Sequence, residues 1–267
     1  MNLSIIINHY KTPDILKLCL KYLFKNLPKE LETEIFLTDG EADPKNKEII
    51  KKYPKIKYIP FEKNVGFSKL VNEALKQVKG DFIFIINADI IIHKKNSLTE
   101  MIKYLKENPE AGLAGPKLFN IDGSFQQSCF KYYTPLTIPC RRTFLKKTPL
   151  CKKTLNKFLM KKINLKQREK PLEVDWLMGS ALLTKKEALK KVGFFDDRFF
   201  MYFEDVDWCK RFWQNGYKVI WLPGSLMYHY HFRASKGKSL IKTIFNKYTR
   251  IHILSALRYF KKHGFGK

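Results

Sequence analysis

Acidic residues are scarce in this chain: 25 Asp and Glu stand against 51 Lys and Arg among 267 residues, a formal net charge of +26. From Trp208 to Lys267 there are 13 Lys and Arg and no acid, and from Lys131 to Lys170 there are 13 with one acid, Glu169. Such a balance favours a polyanionic partner: nucleic acid, anionic lipid headgroups or a phosphorylated substrate. Cysteine is also sparse, with Cys19, Cys129, Cys140, Cys151 and Cys209 odd in number and without CxxC spacing. Neither a disulfide framework nor a zinc site is therefore expected, and a reducing cytoplasm fits. No apolar run reaches the roughly eighteen residues that span a bilayer, so membrane contact would be peripheral. The N-terminus MNLSIIINHY lacks a basic n-region and reads as a first strand rather than a signal peptide. Glycine is missing between Asn8 and Lys17, where a phosphate-binding loop after the first strand would need it. Zinc-ligand spacing, an RNP-like aromatic strand and a basic coiled coil are absent too, which leaves the nucleic-acid reading with charge alone.

What is present is an alternation of strand and helix. Leu3 to Ile7, Glu34 to Thr38, Lys57 to Pro60 and Asp81 to Ile86 are short runs with strand character, ending in polar or turn residues. Asp14 to Phe24 and Ser68 to Val78 have helical apolar spacing. This order predicts an α/β domain, Rossmann-like, with a mostly parallel central sheet flanked by helices. Hydrophobic content of 45% over this length suits one elaborated domain. Ligands of such sheets sit beyond the carboxyl ends of strands. Polar residues gather there: Asn8 and His9, Asp39, Asn64 to Phe67, Asn87 and Asp89.

The stretch FMYFEDVDWCKRFWQNG, from Phe200 to Gly216, sets Glu204, Asp205 and Asp207 among aromatic and apolar neighbours. Burying carboxylates costs several kcal/mol unless partners compensate, so an acid/base site is one reading. First-turn acids of a helix, complementing its dipole with Lys210 and Arg211 a turn later, are the other.

Several segments together resemble family-2 glycosyltransferases of the rhamnosyltransferase-like branch: IINHY, Asp39, Asn64-Val65-Gly66-Phe67 with Asn72, FIFIINAD, GPKLFNIDGSFQQS, and VDWLMGSALLTKKEALKKVGFFDDRFFMYFEDVDWCKRFWQNGYKVIWLP. The resemblance runs from about Asn2 to about His263. It implies a GT-A fold, a nucleoside diphosphate sugar donor, a divalent metal (Mg or Mn) and inversion at the anomeric carbon. By position it implies donor contacts from Asn8, Asp39, Asn64, Gly66, Phe67, Asn87 and Gly179. Asp89 matches the metal ligand of the family's Asp-x-Asp or Asn-x-Asp motif, and Asp205 matches its general base, with Glu204 beside it. Glu204, Asp207 and Trp176 fall where acceptor contacts are expected. His229 with Arg233 and Ser235 resembles a late His-x-x-x-Arg-x-Ser element that would ligate metal and brace the diphosphate, although His231 is an equal choice of register.

Residue chemistry leaves bland alternatives beside these. Asp39 before Gly40 also suits a turn cap, Asn64 to Phe67 an ordinary β-to-α turn, Asn87-Ala88-Asp89 an Asx turn, and Gly179 a packing glycine. The family usually has Asp-Asn where this chain has Asp39-Gly40.

One glycosyltransferase domain over residues 1–267 follows: 1–128 mainly nucleotide-sugar binding, 129–172 a basic insertion, 173–232 an acceptor and catalytic part, and 233–267 a basic helical C-terminal tail. Tyr132, Tyr133, Phe144, Leu145, Leu150, Phe158, Leu159 and Met160 interleave with the basic residues of the insertion. An interfacial amphipathic element or a solvated basic loop would both look so. With the tail they suggest docking on an anionic membrane, on the inner face of the plasma membrane, where a glycan or lipid-linked glycan acceptor waits. No nucleic-acid partner is expected. A metal-dependent nucleotidyltransferase and a basic nucleic-acid-binding protein are the competing classes.

Overall fold

The computed structural model describes residues 2–230 and 246–265. Its first strand, β1 (Asn2–His9), owes its central place to Ile5, Ile6 and Ile7, which are wholly buried on alternating faces. A strand covered on both sides reads as a continuous apolar run, and FIFIIN in β4 (Phe82–Asn87) reads the same way. The two lie parallel with Ile5 opposite Phe84. On the other side of β1 come β2 (Glu32–Asp39) and then β3 (Ile56–Pro60), also parallel. Two apolar clusters fill the two faces: Ile6, Ile83 and Ile85 belong to one, Ile5, Ile7, Phe84 and Ile86 to the other. Each such side chain contributes about 1.5–3 kcal/mol by leaving water.

Helix α1 (Pro13–Asn26) starts on a proline, whose missing N–H costs nothing in a first turn, and buries the stripe Leu16, Cys19, Leu20 and Leu23. A second helix that composition concealed, α2 (Pro44–Lys51), begins where Asp43 accepts the Lys45 N–H. Helix α3 (Phe67–Leu75) follows Gly66.

Beyond β4 the mostly parallel sheet also takes in antiparallel strands. After the two-residue β5 (Ile90–Ile91) and helix α4 (Ser97–Glu107) comes β6 (Ala111–Phe119), with β7 (Phe125–Gln126) folded back on it. Strand β8 (Cys129–Phe130), helix α5 (Thr137–Arg142), a 3-10 turn at Phe144–Lys147 and helix α6 (Pro149–Phe158) make up the basic insertion. Strands β9 (Leu172–Glu173), β10 (Trp176–Leu177) and β11 (Ala181–Lys185) lead to helices α7 (Lys186–Val192) and α8 (Glu204–Gln214) and the long β12 (Lys218–His229). Helix α9 (Lys247–His263) closes the described chain. The main order is β3-β2-β1-β4-β11-β6-β12-β5, with β11 antiparallel to both neighbours.

This topology collects one end of the sheet. Asn8 lies opposite both Thr38 and Asn87, and His9 opposite Asp39. Because β11 runs against β4, its leading residues Gly179 and Ser180 arrive at that same end, where the Asn87 N–H donates to the Ser180 carbonyl at 3.0 Å. Strand β12 delivers His229 opposite Ile90, one residue past Asp89.

The cysteine expectation is corrected: Cys140 and Cys151 form a disulfide, their Cα atoms 5.2 Å apart. An eleven-residue spacing carries no signature in sequence; packing of α5 against α6 brings the two together. Cys19, Cys129 and Cys209 are buried free thiols.

Gly66 has φ of +92°, and a Cβ there would lie 2.4 Å from the Phe200 carbonyl oxygen, which also accepts the Phe67 N–H at 2.9 Å. The start of α3 therefore sits directly on the segment that leads to Glu204. Gly66→Ala is expected to cost about 1–3 kcal/mol through backbone strain. At roughly 2–4 °C per kcal/mol for a chain of this size, thermal unfolding would register a drop of several degrees. An unchanged midpoint would mean that the Phe200 segment yields freely.

Candidate active site

The three carboxylates of α8 divide between two environments. Glu204 is 7% exposed and its Oε2 is buried without a hydrogen bond. Burial, and then the charge of Asp205, push its carboxyl well above the ordinary range. Asp205 is half-buried; its Oδ2 accepts the Gly179 N–H at 2.9 Å and its Oδ1 accepts the Val206 N–H at 2.9 Å. Burial pushes it up to about 6, and those backbone donors hold it from rising further. A carboxylate poised there takes a proton from a hydroxyl and survives ionised near neutral pH. Gly179 is packed against this residue: a Cβ on it would stand 3.2 Å from the Asp205 Cβ.

Asp207 sits in a different environment. It is fully buried and carries ion pairs with Arg211 at 2.9 Å and Lys262 at 2.6 Å, with a hydrogen bond to the His263 ring at 2.7 Å. Burial works to raise its carboxyl, but those partners outweigh it and hold the group below the usual range. Its oxygens are spent inside the protein. Trp176 is enclosed as well: 5% exposed, it stacks on Phe130 at 4.5 Å and gives its indole N–H to the Lys131 carbonyl at 2.9 Å.

Two consecutive residues before Glu204, Tyr202 and Phe203, have φ of +70° and +67°. For bulky side chains this left-handed backbone costs of order 1–3 kcal/mol each and persists only where surroundings enforce it.

At the strand ends, Asp39 is fully buried in a network that composition did not announce. His9 Nδ1 stands 3.2 Å from its Oδ1, while Asn46 and Tyr58 donate to its Oδ2 at 2.8 and 2.7 Å. Burial opposes the charge, yet these hydrogen bonds keep Asp39 below its ordinary value. Asp39 thus fixes His9, Asn46 and Tyr58 rather than presenting a bare carboxylate. Asn8 Oδ1 receives the Thr38 hydroxyl at 3.4 Å. Asn64 Oδ1 accepts the Gly66 N–H at 2.9 Å, an Asx turn that shapes the entry to α3.

Asn87 and Asp89 each keep a buried Oδ1 without a hydrogen bond. His229 lies 3.3 Å from that Asp89 oxygen through Nε2, and its Nδ1 donates to Gln126 Oε1 at 2.8 Å. The amide of Gln126 thereby fixes the tautomer and turns Nε2 toward Asp89, an arrangement common behind metal-binding histidines. Gln126 carried no signal beyond its place in FQQS. Unsatisfied oxygen next to imidazole suits a divalent cation that draws further ligands from phosphate and water. Among the described residues no group of three or more His, Cys, Asp or Glu gathers to hold a metal. Arg233, His231 and Ser235 lie outside the described residues.

This assembly of strand-end amides, an Asn-x-Asp turn and a buried acid pair sits within a segment that matches a known family. The profile of Glycosyl transferase family 2 matches residues 4–209. The chain belongs to that family. It is 26% identical over 225 residues to N-acetylglucosaminyl-diphospho-decaprenol L-rhamnosyltransferase of Mycobacterium tuberculosis, covering 80% of this chain and 71% of the relative. Rhamnosyltransferase WbbL of Escherichia coli is 26% identical over 248 residues, covering 90% and 87%. Among solved structures, S. aureus TarS superposes with a TM-score of 0.61 at 19% identity over 97% of this chain, which spans 40% of TarS. The mannosyltransferase PcManGT from Pyrobaculum calidifontis, in complex with GDP-Man and Mn2+, gives 0.59 at 13% identity, covering 100% of this chain and 76% of the other. At such identities the structures establish the GT-A fold, and this family-2 chain is a glycosyltransferase.

Proposed function

We propose that this glycosyltransferase is metal-dependent and inverting, and that it moves a sugar, rhamnose by its relatives, from a nucleoside diphosphate donor to a glycan or lipid-linked glycan in cell-surface polysaccharide synthesis. The observation that carries the reading is Asp205, a carboxylate raised toward neutrality and held by Gly179, whose neighbour Ser180 is bonded to Asn87 at the end of β4. The base is thereby anchored to the strand that leads to Asp89.

Asp205 takes the proton of an acceptor hydroxyl as that oxygen forms its bond to the anomeric carbon. The bond from that carbon to the donor phosphate oxygen breaks, and the nucleoside diphosphate leaves with the electron pair. One displacement from the opposite face inverts the centre. Glu204, kept protonated by its burial, offers an O–H to acceptor oxygen without adding a second negative charge. Asn8, Asn64, Gly66, Phe67, Asn87 and Gly179 line the donor side, with Asp39 bracing His9, Asn46 and Tyr58. Asp89 and His229 are the residues that would hold Mg or Mn, which when bound neutralises the diphosphate. A thermal-shift panel of nucleotide sugars with Mg or Mn tests this: the true donor raises the midpoint, since it binds only the folded state. No response to any nucleotide sugar would sink the proposal.

The same reading places the protein peripherally on an anionic membrane on the cytoplasmic side. Phe144 and Leu150, 67% and 61% exposed, stand among Lys146, Lys147, Lys152 and Lys153 on the short helices of the insertion. No described helix is long and apolar enough to cross a bilayer. Each cation near the surface contributes on the order of 1 kcal/mol, screened by salt. Replacing the four lysines with Gln is expected to abolish co-sedimentation with anionic vesicles at low salt while sparing transfer to a short soluble acceptor. Failure of the wild type to co-sediment would reject the membrane role.

A further inference from the structure

Helix α9 lies beyond the family-matched residues 4–209, yet besides contacts to Tyr133, Arg142 and Lys210 it grips the segment from Asp196 to Asp207 that carries the acid pair. The Ser255 hydroxyl donates to the Met201 carbonyl at 2.9 Å, and Arg258 donates to the Arg198 carbonyl at 2.6 Å. Lys262 bridges Asp196 at 2.8 Å and Asp207 at 2.6 Å, and His263 reaches Asp207 at 2.7 Å. Beside these polar grips the ring of His252 packs on Tyr202 at 5.3 Å and Phe203 at 5.2 Å, and Tyr259 packs on Phe203 at 5.4 Å. Those are the two residues forced into left-handed backbone immediately before Glu204. His252 stays a neutral packing ring, because burial, with Arg142 and Arg141 adding to it, pushes it down to about 3.

We infer that α9 is a clamp whose Ser255, Lys262 and His263 are positioning residues for the acid pair, holding the strained Tyr202–Phe203 turn and, through Asp207, the first turn of α8. Tyr202 and Phe203 would relax toward ordinary backbone if released, and that rotation swings Glu204 and Asp205 away from Gly179. The grip at Met201 fixes the segment before the turn, and the grip on Asp207 fixes the helix after it. Both sides must be held for the turn to keep its conformation. Asn8 and Asn87 stand at the ends of β1 and β4, outside the clamped segment, and Gly66 and Phe67 meet it at Phe200, ahead of the turn, so the clamp acts on turnover more than on donor affinity.

The inference rests on the proposed base role of Asp205, and its test has one arm independent of activity. In the full-length chain, Lys262→Gln with Ser255→Ala is expected to raise amide hydrogen exchange in the peptide covering 199–207 at least tenfold, while β1 and β4 keep their protection. In transfer assays the same variant is expected to lose at least tenfold in kcat while donor affinity by calorimetry changes far less, and Lys262→Arg alone keeps most of the rate. A merely structural helix would instead lower kcat and donor affinity together with protection throughout the sheet. That result, or wild-type exchange at 199–207, overturns the clamp. If the double variant does not fold, Ser255→Ala alone supplies the same two readouts at smaller amplitude. Should the wild type transfer no sugar at all, the functional proposal fails while the exchange arm still decides whether α9 holds the turn.

Discussion

Asp205→Asn is expected to lower glycosyl transfer by roughly two to four powers of ten, the range for losing a general base, with donor affinity retained. The substitution removes the proton acceptor and leaves the shape. It also removes one of two carboxylate oxygens that receive backbone N–H groups, from Gly179 and from Val206. One buried N–H left unpaired costs about 1–3 kcal/mol, so a lowered unfolding midpoint accompanies the lost rate. Donor titration separates the two effects: a folded variant that binds donor with unchanged affinity and does not turn over isolates the chemistry. Undiminished transfer would remove Asp205 from the mechanism.

The pH profile of the wild type carries the same assignment. With Asp205 pushed up to about 6, transfer is expected to fall as pH drops through about 6, because only the ionised carboxylate accepts a proton. Stability moves the other way for this pair. Glu204 and Asp205 are both held above the ordinary carboxylate range, so protonation favours the folded state. Their contribution is complete below a pH of about 4, the value for an unfolded chain, and is lost as pH rises through the folded values. Activity and this part of stability thus have opposite slopes between about pH 4 and 6.

The first hundred residues were legible because buried parallel strands announce themselves: Ile5 to Ile7 and Phe82 to Ile86 are unbroken apolar runs, and polar residues begin at the strand ends. Helix α2 was not, since PKNKEIIK buries only Asn46 and Ile49 and is otherwise solvated; its Asp43-Pro44 start was the available signal. That omission hid Asn46, and with it the closed network around Asp39. The ion-paired surroundings of Asp207 were hidden for a related reason. Its partners Lys262 and His263 lie more than fifty residues away, and no local pattern tells a carboxylate that faces substrate from one that faces a distant helix. The antiparallel β11 was equally invisible, because ALLTK between two buried neighbours reads alike in either direction.

Asp89→Ala should abolish the metal-dependent part of donor binding while scarcely touching the fold. The asymmetry follows from the surroundings of the carboxylate: Asp89 Oδ1 is buried with no hydrogen bond to lose, and its near neighbour is His229 Nε2 at 3.3 Å. Removing that oxygen therefore breaks little within the protein, whereas a divalent cation at a diphosphate is worth several kcal/mol, or two or more powers of ten in affinity. Calorimetry with a nucleoside diphosphate, with Mn present and then with chelator, makes the comparison. In the wild type the two affinities differ widely; in Asp89→Ala they converge on the chelator value. Gln126→Leu then grades the effect, since it unties His229 Nδ1 without removing either ligand atom, and loss of such a supporting partner costs about 10–100-fold. A wild type whose donor affinity ignores metal altogether would strip Asp89, His229 and Gln126 of these roles at once.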